Sequence, residues 1–574
     1  MRPDKANSRE WDTTQNVFVE GDNLEVLKLL QKHYHAKIKL IYIDPPYNTG
    51  NDFVYPDNYQ EGLATYLEWT RQVNEEGKKV STNSESEGRY HSNWLNMMYP
   101  RLKLARNLLT EDGVIAISSD DNEAPRLTQI CDEIFGAGNF VAKVVTQANK
   151  GGRDYLPLAQ THEYVLVYSR NYAKGGIYEL PKDGSSLPFA DGKGRYETRE
   201  LRNRNPRFNR DNRPNLFYPF YIDSTSLDSN GYASVSLEPD DTHVIEAFPR
   251  NSQGVDGCWR WGRERAKKNI VIGDPIASQV VAKQVHSGGW NIYEKNRKST
   301  QKAKTIWDET EVRTEAGTRE VRELFGASVF DHPKPVDLVG KIVSIGTEPE
   351  GDDIILDFFA GSGSTAHAVI RANAQDGGMR RFILVQLPEP TADDSVARHQ
   401  GYKTIADIAR RRIVLAGDKI KQDLKSELLL RDQPIDVGFR SYKLAETNFS
   451  KWRISSGVES GQLREHLLDL RNSADDSATV NDLLTEILIK QGHSLTEQAE
   501  DKDIAGLLFQ SVGGGLLLAY LDQHTKPTLA QLRALVAAAP GKIVILEDAF
   551  QGDDELKTNM AQLCKSRGIE LWTA

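Results

Sequence analysis

A chain of 574 residues is too long for one hydrophobic core, and at ~100 to 200 residues per domain it should fold as three or four. Its formal net charge of −10 excludes a uniformly basic nucleic-acid binder, so any such contact must come from a local basic patch. Cys131, Cys258 and Cys564 are isolated, which leaves no zinc knuckle, redox pair or disulfide framework and makes them structural. No run of about 18 apolar residues could span a bilayer, and Met1 to Trp11 is polar with no signal-peptide core, so a cytoplasmic protein is expected.

Val17 to Asp22 reads as a strand and Asn23 to His33 as a helix with Leu24, Leu27 and Leu30 on one face. Ile38 to Ile43 follows as an apolar buried strand. This β-α-β order is the grammar of a parallel sheet, and the two prolines of Asp44-Pro45-Pro46-Tyr47 end the last strand. Glu75 to Gly88 reads as a surface loop. Helical spacing of Trp94, Met98, Leu102, Ala105, Leu108 and Leu109 leads to strands at Val114 to Ser118 and His162 to Tyr168.

From about Asn171 to Phe330 periodicity weakens, and Arg, Asn, Trp and Tyr increase. Between Lys193 and Arg213 the basic residues are Lys193, Arg195, Arg199, Arg202, Arg204, Arg207, Arg210 and Arg213, opposed only by Glu197, Glu200 and Asp211. By default such a run is a solvated face; on an acidic molecule it is also the place for a nucleic-acid contact. Trp259 and Trp261 in this region read as core. The parallel-sheet grammar then resumes with a helix at Val336 to Ile345, a strand at Ile354 to Phe358, a helix at Thr365 to Ala374 and a strand at Phe382 to Leu387. After a boundary near Asp436, Ile543 to Leu546, Leu556 to Ser566 and Ile569 to Thr573 form another strand, helix and strand.

Two segments carry chemistry. Asp44-Pro45-Pro46-Tyr47 stands at the carboxyl end of a parallel strand, where open α/β sheets place their ligands. An amine conjugated to an aromatic ring is a poor nucleophile because its lone pair is delocalised. Two acceptors aimed at its hydrogens, the Asp44 carboxylate and the Pro45 carbonyl, can draw it out of conjugation. The prolines fix that carbonyl and leave no competing amide proton. Tyr47 offers a flat face for a base extruded from a duplex, stacking worth ~1 to 3 kcal/mol. The plain alternative is a rigid turn ending a strand, and the extension Asn48-Thr49-Gly50-Asn51-Asp52-Phe53 sharpens the chemical one.

The second segment, Asp357-Phe358-Phe359-Ala360-Gly361-Ser362-Gly363-Ser364-Thr365, lies between a strand and a helix. Its glycines permit close backbone approach, and the helix start presents free amides. It lacks the Lys-Ser/Thr of a phosphate loop and the spacing of a pyrophosphate loop. Asp357, ending its strand, suits a ligand's ammonium.

The pair of segments resembles the catalytic and cofactor motifs of amino-methylating DNA methyltransferases. With the catalytic motif first, the order is that of the circularly permuted β group. Gly21-Asp22-Asn23, His162-Glu163-Tyr164 and Lys334-Pro335 extend the likeness. The resemblance implies an α/β fold: a Rossmann-like S-adenosylmethionine-dependent core with a mostly parallel sheet, an inserted target-recognition domain and a C-terminal α/β module. It implies that Asp44, Pro45, Pro46 and Tyr47 are catalytic. It places S-adenosylmethionine on Asp22, Lys334, Pro335, Asp357, Phe359, Ala360, Gly361, Ser362, Gly363, Thr365 and Gln386. Asp22 would contact the cofactor's adenine; alternatively it is a helix N-cap, and Lys334-Pro335 a helix start. Gln386 stands where many relatives have an acidic ribose ligand, with Glu389 close by.

With Phe439-Arg440-Ser441-Tyr442-Lys443, Asn448-Phe449 and Asp554-Glu555-Leu556-Lys557-Thr558-Asn559, the whole chain is similar to the modification subunits of type III restriction systems. The domains implied are a catalytic half at 1–170, target recognition at 171–330, a cofactor half at 331–435 and a dimerisation or docking module at 436–574. The reaction implied is direct in-line methyl transfer to adenine N6 in double-stranded DNA, with no metal and no covalent enzyme intermediate. Arg202, Arg204, Arg207, Arg210 and Arg213 would contact DNA, most of the basic residues through phosphates. A homodimer and an ATP-dependent helicase-nuclease partner are expected from the same likeness. A cytosine-N4 enzyme would more often carry Ser at position 44, and a glutamine or RNA methyltransferase Asn. A solitary methyltransferase and a mainly DNA-recognising subunit are the alternatives.

Overall fold

The computed structural model describes residues 1–49, 90–152, 158–182, 184–251, 253–286, 288–424, 434–449 and 478–574. The Gly50 to Phe53 extension and the Glu75 to Gly88 loop lie outside them. The chain divides into a larger unit, Met1–Tyr178 with Lys304–Ala574, and a smaller one, Glu179–Ala303. The smaller unit is narrower than the expected 171–330, because the segments flanking it fold with the larger: Ile306–Trp307 adds a strand to the main sheet, and the helix Thr314–Phe325 packs on Ile405–Asp423.

The larger unit holds a ten-stranded sheet. In chain order its strands are β1 (Arg2–Pro3), β2 (Val17–Glu20), β3 (Ile38–Ile43), β4 (Leu109–Ser119), β5 (Phe140–Gln147), β6 (His162–Ser169), β7 (Ile306–Trp307), β8 (Ile354–Asp357), β9 (Arg381–Gln386) and β10 (Arg440–Lys443). Their spatial order is β1-β10-β2-β9-β8-β3-β4-β6-β5-β7. The six strands from β10 to β4 run parallel, while β6 is antiparallel to both β4 and β5. The hairpin of β5 and β6 is the departure from the expected parallel grammar. β5 went unread because its first four residues, Phe140 to Lys143, are all at least partly exposed and blur the alternation a half-buried strand shows.

Helices cover both faces of the parallel part, so its strands are apolar throughout, as two-sided burial requires. α1 (Asn23–Tyr34) packs on α2 (Tyr90–Leu108), and both join Val19, Ile41, Ile43, Ile117, Leu356 and Val385 in one core. On the opposite face α3 (Val336–Gly346) packs on α4 (Ser364–Asp376), which packs on α5 (Ile405–Asp423). Phe18, Leu40, Ile355 and Leu384, alternating with the first set, are fully buried there.

Strand order positions the site. β3 continues through α2 to β4 on one side, whereas β8 continues through α4 to β9 on the other. The neighbours β8 and β3 therefore flank the point where the connections diverge, and crevices at the carboxyl ends of strands open at such points.

Beyond β10, the C-terminal part carries a separate five-stranded sheet whose last three strands, Leu517–Tyr520, Lys542–Ile545 and Glu570–Thr573, run parallel. The Arg440 guanidinium donates to the carbonyls of Leu495 and Glu497, and the Tyr442 hydroxyl to that of Leu495 at 2.5 Å. The Phe439 to Lys443 motif, chemically illegible in sequence, thus fastens this module to the edge of the main sheet. Asn448 has a matching structural role, its backbone and side-chain amides both donating to the buried Glu486. No helix among the described residues is long and apolar enough to cross a membrane.

The smaller unit contains a seven-stranded, antiparallel-paired sheet around Phe220, Ile222, Val235, Val280, Trp259 and Trp261. The two tryptophans are core, as read from sequence. All three cysteines are buried thiols.

Candidate active site and nucleic-acid interface

The crossovers bring the two chemical segments together. Asp44 follows β3 and Asp357 ends β8, at the carboxyl ends of adjacent parallel strands. After Asp44 the chain is held from several sides. The buried indole of Trp94 donates to the Pro46 carbonyl at 2.7 Å. Asn48, in the left-handed region at φ 58°, donates its side-chain amide to the fully buried Glu123 at 2.6 Å, and His91 meets the same carboxylate. A polar Asn tolerates that backbone where a bulky residue would not.

The acceptors expected to act are left open. No hydrogen bond among the described residues ends on the Pro45 carbonyl, and the buried Oδ1 of Asp44 has no hydrogen-bond partner. An unsatisfied buried acceptor costs roughly 1 to 3 kcal/mol, so such a pair is kept for a ligand or at a loss.

Around them lies a charged cluster. The Lys334 ammonium is 3.4 Å from Asp44 Oδ1 and 2.7 Å from Glu163 Oε2, and it donates to the Tyr47 hydroxyl. The Tyr47 hydroxyl in turn donates to Glu163 at 3.1 Å, while the ammonium sits 4.7 Å from the Tyr47 ring centre. Burial pushes the Asp44 carboxyl upward and Glu163 adds to this, while Lys334 opposes both. Burial works to lower the Lys334 ammonium, but Asp44 and Glu163 outweigh it and hold it above its ordinary value. The sequence marked Lys334 as a pocket residue; its ammonium is engaged with the Asp44 group.

The glycine turn is built from its own residues. Asp357 Oδ1 accepts the Phe359 amide at 3.0 Å, and Oδ2 accepts the Thr365 hydroxyl at 2.5 Å. Burial pushes the Asp357 carboxyl up to about 7 against these bonds. Gly361 and Gly363 adopt φ 53° and 81°, and a Cβ on Gly363 would come 3.2 Å from the Ala409 carbonyl. Gln386 accepts the Gly361 amide at 2.6 Å. Arg412, fully buried, donates to the hydroxyls of Ser362 and Ser364 at 2.6 and 2.7 Å, and Ser364 donates to the Lys334 carbonyl.

Asp22 accepts the amides of Leu24 and Glu25, and Pro335 is the residue at the start of α3, so both plain structural readings describe what these residues do. The Asp357 carboxylate, 3 % exposed, shapes the turn, and a ligand's ammonium could meet it only in addition to two existing bonds. Glu123 and Arg412 were missed. Glu123 lies just past the carboxyl end of β4, and Arg412 shares the inward stripe of Ile408, Ala409, Ile413 and Ala416; either position was a usable signal.

In the smaller unit the arginine run is an ordered loop. Asn203, Asn205 and Asn209 accept backbone amides two residues on, and Asn212 donates to the Arg207 carbonyl. Arg202 and Arg204 are both bound by Glu200 at 2.8 Å, and Arg210 is 3.2 Å from Asp256. Arg207 and Arg213 are exposed and have no ion pair among the described residues; Arg213 lies against the Phe208 ring. Ser234, His243 and Asp240 stand in a row at 3.0 and 2.9 Å, but Ser234 is wholly buried and accepts the Gly273 amide. That array locks a loop and has no route to a substrate.

Residues 38–389 match the family described as DNA methylase, which spans both chemical segments, and the chain belongs to that family. Over its whole length it is 33 % identical to the type III restriction-modification enzyme EcoPI Mod subunit of Escherichia phage P1, 87 % of which is covered. The type II methyltransferase M.KpnI of Klebsiella pneumoniae is 33 % identical over 71 % of this chain and 89 % of its own. A putative DNA modification methylase of Thermus thermophilus, solved with S-adenosyl-L-methionine, aligns at 12 % identity and TM-score 0.30 over 75 % of this chain and all of its own. Within its family the chain is a DNA methyltransferase homologous to type III Mod subunits.

Proposed function

We propose that the protein transfers a methyl group from S-adenosylmethionine to N6 of an adenine flipped out of double-stranded DNA, as the modification and specificity subunit of a type III system. The observation that carries this is the pair of open acceptors, Asp44 Oδ1 and the Pro45 carbonyl, at the divergence of β8 and β3. Asp44 and Pro45 accept the two amine hydrogens and restore nucleophilic character to the nitrogen. Tyr47 stacks the base, and Pro46, pinned by Trp94, keeps Pro45 rigid. Adenine is favoured over cytosine by the aspartate at position 44.

The turn beside Asp357 fits the donor. Two positive-φ glycines and Ala360 leave room close to the backbone, and the start of α4 presents amides to a polar group. Bound S-adenosylmethionine would supply a methyl on a positively charged sulfur. Phe359, Ala360, Gly361, Ser362 and Gly363 would hold it, with Asp357, Thr365 and Gln386 fixing the turn and Asp22, Lys334 and Pro335 bordering it. Positioning supplies most of such a step, since no covalent intermediate is formed.

In this reading 1–170 and 331–435 form the catalytic core, 171–330 contains the DNA reader with Arg202, Arg204, Arg207, Arg210 and Arg213, and 436–574 mediates dimerisation or docking. A cytoplasmic homodimer joined by an ATP-dependent nuclease completes the system. Similarity to a type II enzyme over 71 % of the chain favours a second reading, a solitary methyltransferase. A neighbouring gene for a large ATP-dependent nuclease would decide for the first. The reaction is tested with methyl-labelled donor, duplex DNA and nucleoside digestion: label in N6-methyladenosine is expected, and label only in cytosine would refute the adenine reading.

A further inference from the structure

Lys334 has two carboxylates to choose between, and it stands unequally between them. Its 2.7 Å bond goes to Glu163 and another goes to the Tyr47 hydroxyl, while Asp44 Oδ1 is 3.4 Å away, beyond ordinary hydrogen-bond length. A lysine ammonium has three protons and no acceptor. Drawn to Glu163 and Tyr47, it gives Asp44 the Coulombic benefit of a nearby positive charge without occupying Oδ1. The Lys334 side chain is 10 % exposed and that of Asp44 28 %, but Oδ1 itself is buried, so water dilutes the field between ammonium and Oδ1 only in part.

We propose that Lys334 and Glu163 form a positioning pair for Asp44. Lys334 keeps the Asp44 carboxylate ionised, and Glu163, with Tyr47, restrains the ammonium from closing into a tight ion pair that would take the lone pair of the buried Oδ1 meant for the amine. The inference rests on the reading of Asp44 as the acceptor of an amine hydrogen. Neither residue touches the reacting atoms; each acts through Asp44.

The titratable groups facing Asp44 are Lys334, Glu163, Tyr47, Tyr42 and Asp357. Asp44 must be ionised to accept, so activity falls as pH drops through its titration. Removing the ammonium leaves burial and Glu163 opposed by Tyr47 alone, and the acidic limb moves to higher pH. Removing the Glu163 charge moves it to lower pH, because one negative neighbour is gone and Lys334 is released toward Asp44.

The test is the pH dependence of single-turnover methylation by full-length protein with saturating donor and DNA, for Lys334→Met, Lys334→Arg and Glu163→Gln. Expected are a limb raised by ~1 to 3 pH units in Lys334→Met, the reach of a charge within ~4 to 6 Å. Lys334→Arg keeps a limb near wild type with a lower rate, and in Glu163→Gln both limb and rate fall. Limbs that stay put, or move in the same direction in Lys334→Met and Glu163→Gln, overturn the pairing. If Lys334→Met does not fold, the downward shift in Glu163→Gln and the kept limb in Lys334→Arg decide alone. Asp44→Ala, which removes the acceptor altogether, separates the two levels. At wild-type rate it removes the reading on which the pair rests; inert, beside unshifted limbs, it removes only the pair.

Discussion

Asp357 offers a sharp test of how the cofactor turn is built, because burial pushes its carboxyl up to about 7. An ordinary aspartate titrates near ~3.9, so the native state binds this proton more tightly than the unfolded chain by ~3 units, or ~4 kcal/mol at ~1.4 kcal/mol per unit. The direction follows from linkage. A carboxyl raised on folding contributes its full stability below the unfolded value, and that contribution is lost as pH rises through 7. Asp357→Asn keeps an acceptor for the Phe359 amide and removes the titration. From pH ~4 to ~7 wild type should therefore lose up to ~1.4 kcal/mol per pH unit relative to the variant. Hydrogen exchange of the β8 amides in both proteins at each pH, with cofactor absent, measures the difference and cancels the intrinsic rate. Parallel stabilities across that range would refute the argument that burial governs this carboxylate.

Two further expectations concern charge. Arg207→Ala and Arg213→Ala should each weaken duplex binding and lower its salt slope by about 0.9, the release of one counterion, whereas Arg202→Ala and Arg204→Ala, whose guanidinium groups are held by Glu200, should change it less; titrations at several salt concentrations check the ranking. Arg412→Met leaves Glu320, 3.6 Å from that guanidinium, without its buried partner. The loss of stability should approach ~3 to 5 kcal/mol, read by denaturant unfolding, with weaker donor binding by calorimetry because Ser362 and Ser364 lose their donor.

The parallel core was legible because two-sided burial writes itself into unbroken apolar runs. Ile38 to Ile43 was bounded to the residue, and α1 and α3 within one residue at their C-terminal ends. Asp44 and the glycine turn were legible from their chemistry and their place at strand ends. What the sequence did not disclose depends on distant partners. Lys334 looked like a pocket residue because nothing local links it to Asp44 or Glu163; only the sheet order, with β3 and β6 on either side of β4, and the approach of the residues before α3 do. Asp22, Asp357 and Gln386 looked like ligand contacts, and folding commits each to a backbone amide as well. The arginine run suggested five equivalent cations, yet Glu200 and Asp256, one of them distant in sequence, bind three of them.

The most direct measurement is to express the chain and its Asp44→Ala variant in cells lacking adenine methylation and to map modified bases by single-molecule sequencing. N6-methyladenine at one short sequence, lost in the variant, is the expected result. Modified cytosine, methylation that survives in Asp44→Ala, or no modification by a folded protein that binds the DNA would each contradict the assignment of Asp44 and adenine.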